Sequence, residues 1–214
     1  MTEALNSDKV KPSPTLNTII MVEDTIQNCP NSVITIAELK KALPRQVNHN
    51  TLMTILEYLE KSNKIVVGLR GITWIHNTNK NLRNVAIYGR ELYKRAWATK
   101  RVSVRLTPEA DEVYEYLLSK ASESKQEETI LNAFHQKVEL IKNDVHYGNP
   151  IAKRLIPSEY KTKYGVKNLF RVELPSFWRM LYTLTTGNPG VETLVIVIDI
   201  IDHKKYDKIF GYKK

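Results

Sequence analysis

The spacing of apolar residues over residues 15–76 predicts three helices. LNTIIMVEDTIQNC places its aliphatic side chains near one helical face, and IAELKKAL, which Pro44 closes, predicts a short second helix. Between them, VITI has the β-branched composition of a short strand. The third helix follows from apolar residues at i, i+3, i+4 and i+7 between Leu52 and Leu59, with Asn50 as its expected N-cap.

Two β-rich runs in KIVVGLRGITWIH, which ends at His76, predict a β-hairpin. They meet at Leu69-Arg70-Gly71, where the glycine can adopt the positive φ that a tight turn needs. The order helix, strand, helix, turn, helix and hairpin is similar to that of the winged helix-turn-helix family. The resemblance rests on pattern and spacing, and it implies a winged helix over residues 15–76.

The segments that flank this unit are polar. Residues 1–14 contain two prolines and predict a flexible tail. Residues 77–100 are polar and basic at first, and then predict a helix from Tyr88 to Ala98. We interpret them as a linker that becomes a connecting helix. A dimerisation helix, and with it a homodimer, is the open alternative.

Residues 101–214 predict a second unit that contains both strands and helices, so the whole chain is expected to be α+β. RVSVRLT alternates apolar and polar residues as a half-buried strand does. Thr107-Pro108 predicts the start of one helix, and the capping-box pattern from Ser124 to Glu127 predicts the start of another. After HYGNPI, the runs LIPSEY, NLFRVEL, WRMLYTLT and TLVIVIDII predict a strand meander, and the last run is apolar enough for burial on both faces.

Composition narrows the class of protein. Apolar residues make up 42% of the chain, enough for a sizeable core, and the only cysteine, Cys29, allows no intramolecular disulfide. No apolar run approaches the ~20 residues of a membrane span, and the opening residues lack the apolar core of a signal peptide. We therefore expect a cytoplasmic protein with no membrane partner. No metal-binding Cys/His spacing, phosphate-binding glycine loop or Ser/His/Asp order is present, so we expect neither a metal nor a cofactor.

The net charge of +9 is unevenly distributed along the chain. Residues 1–100 carry 14 Lys+Arg against 8 Asp+Glu, residues 101–150 carry 6 against 9, and residues 151–214 carry 12 against 6. Two basic regions therefore flank an acidic one. This balance favours a polyanionic partner, nucleic acid before membrane, because no basic amphipathic anchor helix is visible. An ordinary lysine excess is the alternative.

Charged residues are expected to meet at one end of the predicted meander. A three-residue loop at 175–177 would place Glu173 opposite Arg179 on the next strand. Arg171 would share that sheet face, because side chains two residues apart in a strand point the same way. The run DHKKY, which follows the last apolar strand, would arrive at one end of the same sheet.

The motifs R-V-E-L, W-R-M-L-Y and D-H-K-K-Y resemble the RelE/ParE superfamily of toxins from toxin–antitoxin pairs, over about residues 101–214. The resemblance implies a RelE-like domain made of a strand, a helix hairpin and an antiparallel meander. For the RelE branch it implies a metal-independent endoribonuclease that cuts mRNA on the ribosome by attack of the 2′-OH on the adjacent phosphate. It also implies an antitoxin protein as partner.

That reaction needs a proton acceptor for the 2′-OH, stabilisation of charge on the phosphate and a proton donor for the leaving oxygen. Guanidinium groups clamp phosphate, an imidazole can serve as acid or base, and a tyrosine can stack on a base or donate a proton. The candidate catalytic residues are Arg171, Glu173, Arg179, His203, Lys205 and Tyr206. The candidate RNA-binding residues are Lys153, Arg154, Lys161, Lys163, Tyr212 and Lys213.

Glu173 departs from the family pattern, since many RelE-type ribonucleases carry a second basic residue there. Its carboxylate could act as general base. Alternatively, it pairs with Arg179 across the strands and lowers the positive charge offered to phosphate. The departure keeps a second function open: a non-catalytic DNA-binding transcriptional regulator, or a ParE-like inhibitor of DNA gyrase, that uses the toxin fold as a binding module.

The winged-helix resemblance implies DNA binding, with the third helix in the major groove and the hairpin against the backbone. Asparagine suits adenine edges, threonine suits the thymine methyl group, and arginine suits guanine or phosphate. The candidate DNA-binding residues are Arg45, Asn48, His49, Asn50, Thr51, Thr54, Lys64 and Arg70. Protein binding or dimerisation by this unit is the alternative. The fusion suggests that the winged helix supplies an autoregulatory DNA contact.

Overall fold

The computed structural model describes residues 13–94, 101–187 and 192–211, and within them the chain is α+β, as predicted. Of the predicted tail, only Ser13 and Pro14 are among the described residues. The helices are α1 (Leu16–Asn28), α2 (Ile36–Ala42), α3 (His49–Lys61), α4 (Lys80–Tyr88), α5 (Pro108–Lys120), α6 (Lys125–Asn143), α7 (Ser158–Tyr164) and α8 (His203–Phe210). The strands are β1 (Ile65–Gly68), β2 (Gly71–Trp74), β3 (Glu91–Lys94), β4 (Arg101–Leu106), β5 (Asn149–Ile151), β6 (Leu169–Glu173), β7 (Arg179–Thr186) and β8 (Glu192–Ile201).

Helices α1 to α3 and the hairpin β1–β2 close around one hydrophobic core. The predicted apolar stripe of α3 is confirmed, since its buried residues are Leu52, Ile55, Leu56 and Leu59. The predicted hairpin is confirmed as well, with Gly71 at a φ of 136°. A Cβ at this position would lie 2.6 Å from the carbonyl oxygen of Ile34, so the turn needs glycine for both its conformation and its space.

The strand predicted for VITI is wrong apart from a single bridge. Only Ile34 pairs, with Ile72 of β2. Thr35 instead caps α2, because its hydroxyl accepts a hydrogen bond from the amide of Glu38 while the Glu38 carboxylate accepts one from the amide of Thr35. This capping box satisfies two amides that a helix start otherwise leaves unpaired, and it therefore turns the chain into a helix one residue later.

Two helix starts differ in detail from the prediction. The N-cap of α3 is Asn48 rather than Asn50, and its side-chain oxygen accepts a hydrogen bond of 2.9 Å from the amide of Asn50. Helix α6 begins at Lys125 as expected, but the capping box is incomplete. The hydroxyl of Ser124 donates to the carboxylate of Glu127 and makes no capping bond to the backbone.

The helix predicted from Tyr88 to Ala98 is wrong in position. The helix that forms is α4, which begins eight residues earlier and ends at Tyr88, with Gly89 as its C-cap. A Cβ on Gly89 would lie 2.7 Å from the carbonyl oxygen of Leu106, so the chain crosses close to β4 at this point. It then pairs with β4 as strand β3, and α4 buries Leu82 against the sheet. Backbone pairing with β4 therefore overrides the helical pattern at residues 91–94, which belong to the sheet layer, and residues 95–98 of the predicted helix lie outside the described residues.

Strands β3 to β8 form one sheet in the order β3-β4-β8-β7-β6-β5, and the only parallel neighbours among the described residues are β4 and β8. Helices α5 and α6 cover one face, and α4, α7 and α8 cover the other. This double cover explains the continuous apolar run of β8. LIPSEY is not a strand, because its residues end a 3₁₀ turn at Leu155 and begin α7, which buries Tyr160 on the sheet.

The run DHKKY begins a helix rather than extending a strand end. Asp202 is the N-cap of α8, and its carboxylate accepts a hydrogen bond of 2.8 Å from the amide of Lys205. The helix turns back over the sheet and buries Tyr206, which is 4% exposed. The basic and aromatic residues of this run are therefore held by a capped helix against one face of the sheet.

The N-terminal unit is joined to the sheet by buried polar contacts. The hydroxyl of Ser32 donates to the carbonyl oxygen of Ile151 at 2.5 Å and accepts from the amide of Leu169 at 3.0 Å. The carboxamide of Asn168 donates to the carbonyl oxygen of Trp74 at 2.9 Å. Because buried polar groups are costly when unpaired, these bonds tie the two units to each other in one arrangement.

His146 occupies the same interface and is fully buried. Its Nε2 lies 2.9 Å from the hydroxyl of Thr73 in the hairpin, and its ring packs on Phe170 of the sheet. A Cβ on Gly68 would lie 2.5 Å from Nδ1, so the hairpin approaches the ring closely only because glycine is there. Burial lowers the pKa of His146 to about 4, and the ring is neutral at pH 7.

Two features are absent from the described residues. No helix in them is long and apolar enough to cross a membrane. No group of three or more histidine, cysteine, aspartate or glutamate side chains in the same ranges is placed to hold a metal ion.

Candidate active site at one end of the sheet

The turn between β6 and β7 sets the register of the site, and the predicted pairing is confirmed. Glu173 faces Arg179 across the strands, and the turn is closed by a hydrogen bond between the amide of Leu174 and the carbonyl oxygen of Trp178. Ser176 and Phe177 have φ values of 56° and 62°. Residues other than glycine rarely adopt this left-handed backbone conformation, so the turn holds both residues under backbone strain.

Two arginines converge on the ring of Tyr206. Arg171 donates from Nη1 to the tyrosine hydroxyl at 2.9 Å, and the guanidinium carbon of Arg179 lies 4.5 Å from the ring centroid. Arg179 also donates to the carbonyl oxygen of Phe177 at 2.9 Å. The Nε atoms of both arginines are buried without a hydrogen-bond partner among the described residues. The two guanidinium groups therefore share one support and retain donor capacity.

Tyr206 supports the arginines from below. It is 4% exposed, and its ring stacks on Phe210 with centroids 4.4 Å apart. A nucleobase cannot stack on a ring that is covered in this way, so the role of base stacking expected for Tyr206 does not fit this arrangement. Its hydroxyl and its ring face instead fix where the two guanidinium groups lie.

Among the described residues, Glu173 is the only acidic residue that forms an ion pair with either arginine. Its carboxylate lies 3.7 Å from Nη2 of Arg171, and its side chain is 69% exposed. The backbone register places Glu173 opposite Arg179, as expected. The ion pair of Glu173, however, is with Arg171, two residues earlier on the same strand. An exposed pair at this distance is weak, so Glu173 leaves most of the positive charge of the site in place.

Lys205 is engaged elsewhere. Its Nζ lies 2.9 Å from the carboxylate of Asp199, which is 3% exposed and also accepts a hydrogen bond from Tyr160 at 3.0 Å. Burial, followed by the charge of Asp199, raises the pKa of Tyr160 well above its ordinary value, so the hydroxyl stays protonated and continues to donate. Lys205 therefore neutralises a buried carboxylate beneath the site. The sequence predicts a catalytic role for Lys205 but does not reveal this contact.

His203 and Phe177 lie together on the outer surface of the site. Their ring centroids are 6.1 Å apart in an edge-to-face arrangement, and Phe177 is 74% exposed. Phe177 was missed among the candidate residues because a lone phenylalanine in a turn carries no motif. The signal that reveals it is structural: an exposed aromatic ring, in a strained turn, beside the guanidinium group of Arg179.

Two of the predicted RNA-binding residues are held by contacts within the chain. Lys153 donates to the carbonyl oxygen of Gln27 at 2.7 Å, and burial lowers its pKa, so it serves the contact between the two units. Lys163 is paired with Glu109 of α5. Arg154 and Lys161 are exposed, and Lys163 is exposed as well despite this ion pair. The remaining two, Tyr212 and Lys213, lie outside the described residues.

The predicted DNA-binding residues divide into two sets. The first turn of α3 and the residues before it present exposed side chains, whereas Thr51 and Thr54 are half-buried. The exposed residues are Arg45, Asn48, His49 and Asn50. The hydroxyl of Thr54 donates to the carbonyl oxygen of Asn50 at 3.0 Å, which commits this hydroxyl to the helix.

The two residues expected to contact DNA phosphates both have partners within the chain. Lys64 is paired with Glu23 of α1 at 2.7 Å. Arg70, at the tip of the hairpin, donates to the carbonyl oxygen of Gly148 at 3.1 Å. The hairpin tip therefore rests on the sheet unit, a contact that no local sequence pattern signals.

The geometry at the end of the sheet is that of an anion site: two guanidinium groups in fixed positions, one exposed carboxylate, one exposed imidazole and one exposed aromatic ring. Guanidinium forks match phosphate oxygens, and an aromatic ring matches a nucleobase. Comparisons with family models, with curated proteins and with solved structures found no match to the chain.

Proposed function

We propose that the chain is a metal-independent endoribonuclease of the RelE type, with the site at the end of β6 and β7 acting on an RNA phosphodiester. The observation that carries the proposal is the convergence of Arg171 and Arg179 on Tyr206, at 2.9 Å and 4.5 Å. Two fixed guanidinium groups beside a single exposed carboxylate stabilise added negative charge on phosphate, which is the main requirement of this reaction.

The order of elements supports a RelE-like domain. A strand (β4), a helix hairpin (α5–α6), an antiparallel meander (β6–β7–β8) and a final described helix (α8) occur in this order, with β5 and α7 between the hairpin and the meander, and β4 lies parallel to β8. The order α1, bridge residue, α2, α3 and hairpin likewise supports a winged helix for the N-terminal unit. In this proposal α8 and its cap hold the site on the meander.

The residues divide the chemistry between them. Arg179 and Arg171 bind the phosphate oxygens and stabilise the charge that grows as the 2′-OH attacks. Glu173 and His203 are the exposed groups that can accept the proton of the 2′-OH and return one to the leaving 5′-oxygen. Phe177 stacks on the base next to the scissile phosphate.

A cellular experiment with the full chain tests this function. Wild-type protein, Arg179→Ala and Arg179→Lys would be expressed, with Lys125→Ala as a control at an exposed lysine on α6. Primer extension across a translated mRNA then maps the cuts. We expect Arg179→Ala to lose roughly 100-fold in cleavage, on the scale of removing one oxyanion donor. Arg179→Lys is expected to lose part, because it keeps the charge without the planar fork.

Equal cleavage by wild type and Arg179→Ala would refute the assignment of the site. Cleavage that continues when translation is blocked would refute the dependence on the ribosome that the RelE resemblance implies, and would leave the assignment of the site intact. Because the two units share buried contacts, the full chain is the correct form of the protein to use.

A second function, DNA binding by the N-terminal unit, is favoured by the exposed polar start of α3. Arg45, Asn48, His49 and Asn50 lie together there. Footprinting on the DNA upstream of the chain's own coding sequence, with wild type and Arg45→Ala, tests it. Protection lost in the variant supports DNA binding, and no protection without a partner protein contradicts autoregulation by the chain alone.

A further inference from the structure

A cavity of about 460 Å³ lies at the end of the sheet opposite to the candidate active site. Strand β7 begins at Arg179 and reaches this cavity through its last two residues, Thr185 and Thr186. At a rise of ~3.3 Å per residue, the two sites are roughly 20 Å apart. Ser62 and Asn63, at the end of α3, form another wall, so both units of the chain contribute.

The wall of this cavity is basic. Three of its residues, His76, Arg83 and Arg105, carry basic side chains, and no acidic side chain lines it among the described residues. Arg105 is neutralised by Glu91 at 3.2 Å. Arg83 is exposed on α4 and has no ion pair within the described part of the chain. A guanidinium group at a polar cavity is therefore left without a counter-ion.

The surroundings of His76 show the same excess of positive charge. Burial and then the charges of Lys167, Lys64 and Arg83 lower the pKa of His76. The opposing carboxylate is Glu23, which already binds Lys64 at 2.7 Å. Lys167 is half-buried and has no ion pair among the described residues. Two cations near this cavity thus lack an anion, an arrangement that stabilises a bound one.

Neutral hydrogen-bonding groups complete the wall. Thr186 and Asn63 contribute a hydroxyl and a carboxamide beside the arginine. Asn77 is committed, because its carboxamide donates to the carbonyl oxygen of Gly165 at 2.8 Å and so holds the wall in place. A volume of about 460 Å³ falls within the range of small-ligand sites.

We propose that this cavity binds the phosphate group of a nucleotide-sized ligand, with Arg83 as its principal contact, Lys167 as a supporting charge and His76 as a neutral hydrogen-bonding group. The site is separate from the proposed ribonuclease site and does not depend on that function. A phosphate can come from a free nucleotide or from a nucleic-acid backbone. Because residues of both units line the cavity, a compact free nucleotide fits it better than an extended backbone.

Calorimetric titration of the full chain tests the proposal with three probes: inorganic phosphate, the ribonucleoside 5′-monophosphates and a 12-nucleotide single-stranded RNA. The variants are Arg83→Gln and Lys167→Gln, and Lys125→Gln is the control at an exposed lysine on α6. We expect a monophosphate to bind, Arg83→Gln to weaken it by about 10-fold or more, and Lys125→Gln to leave it unchanged. Equal melting temperatures without ligand show that the variants fold.

Each result decides the matter. Monophosphate binding that falls in Arg83→Gln supports the free nucleotide. Binding of the RNA alone, again weakened by Arg83→Gln, supports phosphate binding and assigns the site to a nucleic-acid chain. Absence of binding by every probe at millimolar concentration overturns the proposal. Equal binding by wild type, Arg83→Gln and Lys167→Gln overturns it as well.

Discussion

The buried His146 makes the stability of the chain sensitive to acid in a defined pH range. The ring lies between the hairpin and the sheet, bonds to Thr73 at 2.9 Å and is fully shielded from solvent. Burial lowers its pKa to about 4, whereas a histidine in the unfolded chain titrates near ~6.5. At pH 7 the ring is neutral in the folded state and mostly neutral in the unfolded state, so its titration changes the stability little there.

As the pH falls below the pKa of His146 in the unfolded chain, the unfolded chain binds a proton that the folded chain excludes. Stability is therefore lost from about pH 6.5 down to the folded pKa, and not above that range. Between pH 7 and pH 4.5 the difference between the two pKa values corresponds to a loss of about 2–3 kcal/mol from His146 alone.

Urea unfolding of wild type, His146→Gln and His49→Gln at pH 7 and pH 4.5 measures this loss. His146→Gln keeps a side chain that can bond to Thr73 but cannot titrate, so its loss of stability in acid should be smaller than that of wild type by about 2–3 kcal/mol. His49 is exposed, and His49→Gln should behave as wild type. An equal loss in wild type and His146→Gln would refute the reasoning, whatever the stability of either at pH 7.

Three further substitutions have expected outcomes. Phe177→Ala should weaken binding of a short RNA by about 1–3 kcal/mol in fluorescence anisotropy with an unchanged melting temperature, and unchanged affinity would contradict base stacking. Tyr182→Phe should lower the free energy of unfolding by about 1–3 kcal/mol in urea, because the buried hydroxyl bonds two backbone groups before β5 at 2.9 Å each; a neutral effect would contradict this. Gly71→Ala should destabilise the chain by at least about 1 kcal/mol in the same assay, since its φ is 136° and a Cβ would lie 2.6 Å from the oxygen of Ile34; equal stability would contradict it.

Local rules predicted much of the fold and the register of the site. The loop length at 175–177 was enough to place Glu173 opposite Arg179, because a hairpin loop fixes the pairing of its strands. Helical spacing was enough to place the buried face of α3. These features depend only on neighbours within a few residues along the chain.

Contacts between distant residues account for the rest. The pair of Lys205 with Asp199 and the burial of Tyr206 depend on how α8 folds back on the sheet, and the sequence of α8 does not specify that face. Arg70 and Lys153 read as free basic residues, yet each bonds to a carbonyl oxygen of the other unit. The predicted position of the helix in residues 77–100 was wrong for the same reason, because the pairing of β3 with β4 decides where α4 ends.

The central claim concerns the chemistry at Arg171 and Arg179, and the ends of the RNA products test it most directly. Purified full-length protein would be added to ribosomes that carry an mRNA, and a matched mRNA would have a 2′-deoxynucleotide at the mapped cut. We predict a 5′-hydroxyl on the downstream product, no cut in the deoxy-substituted mRNA, and no cut by Arg179→Ala. A downstream 5′-phosphate, or cutting that survives the 2′-deoxy substitution, would contradict attack by the 2′-OH and the account of the site.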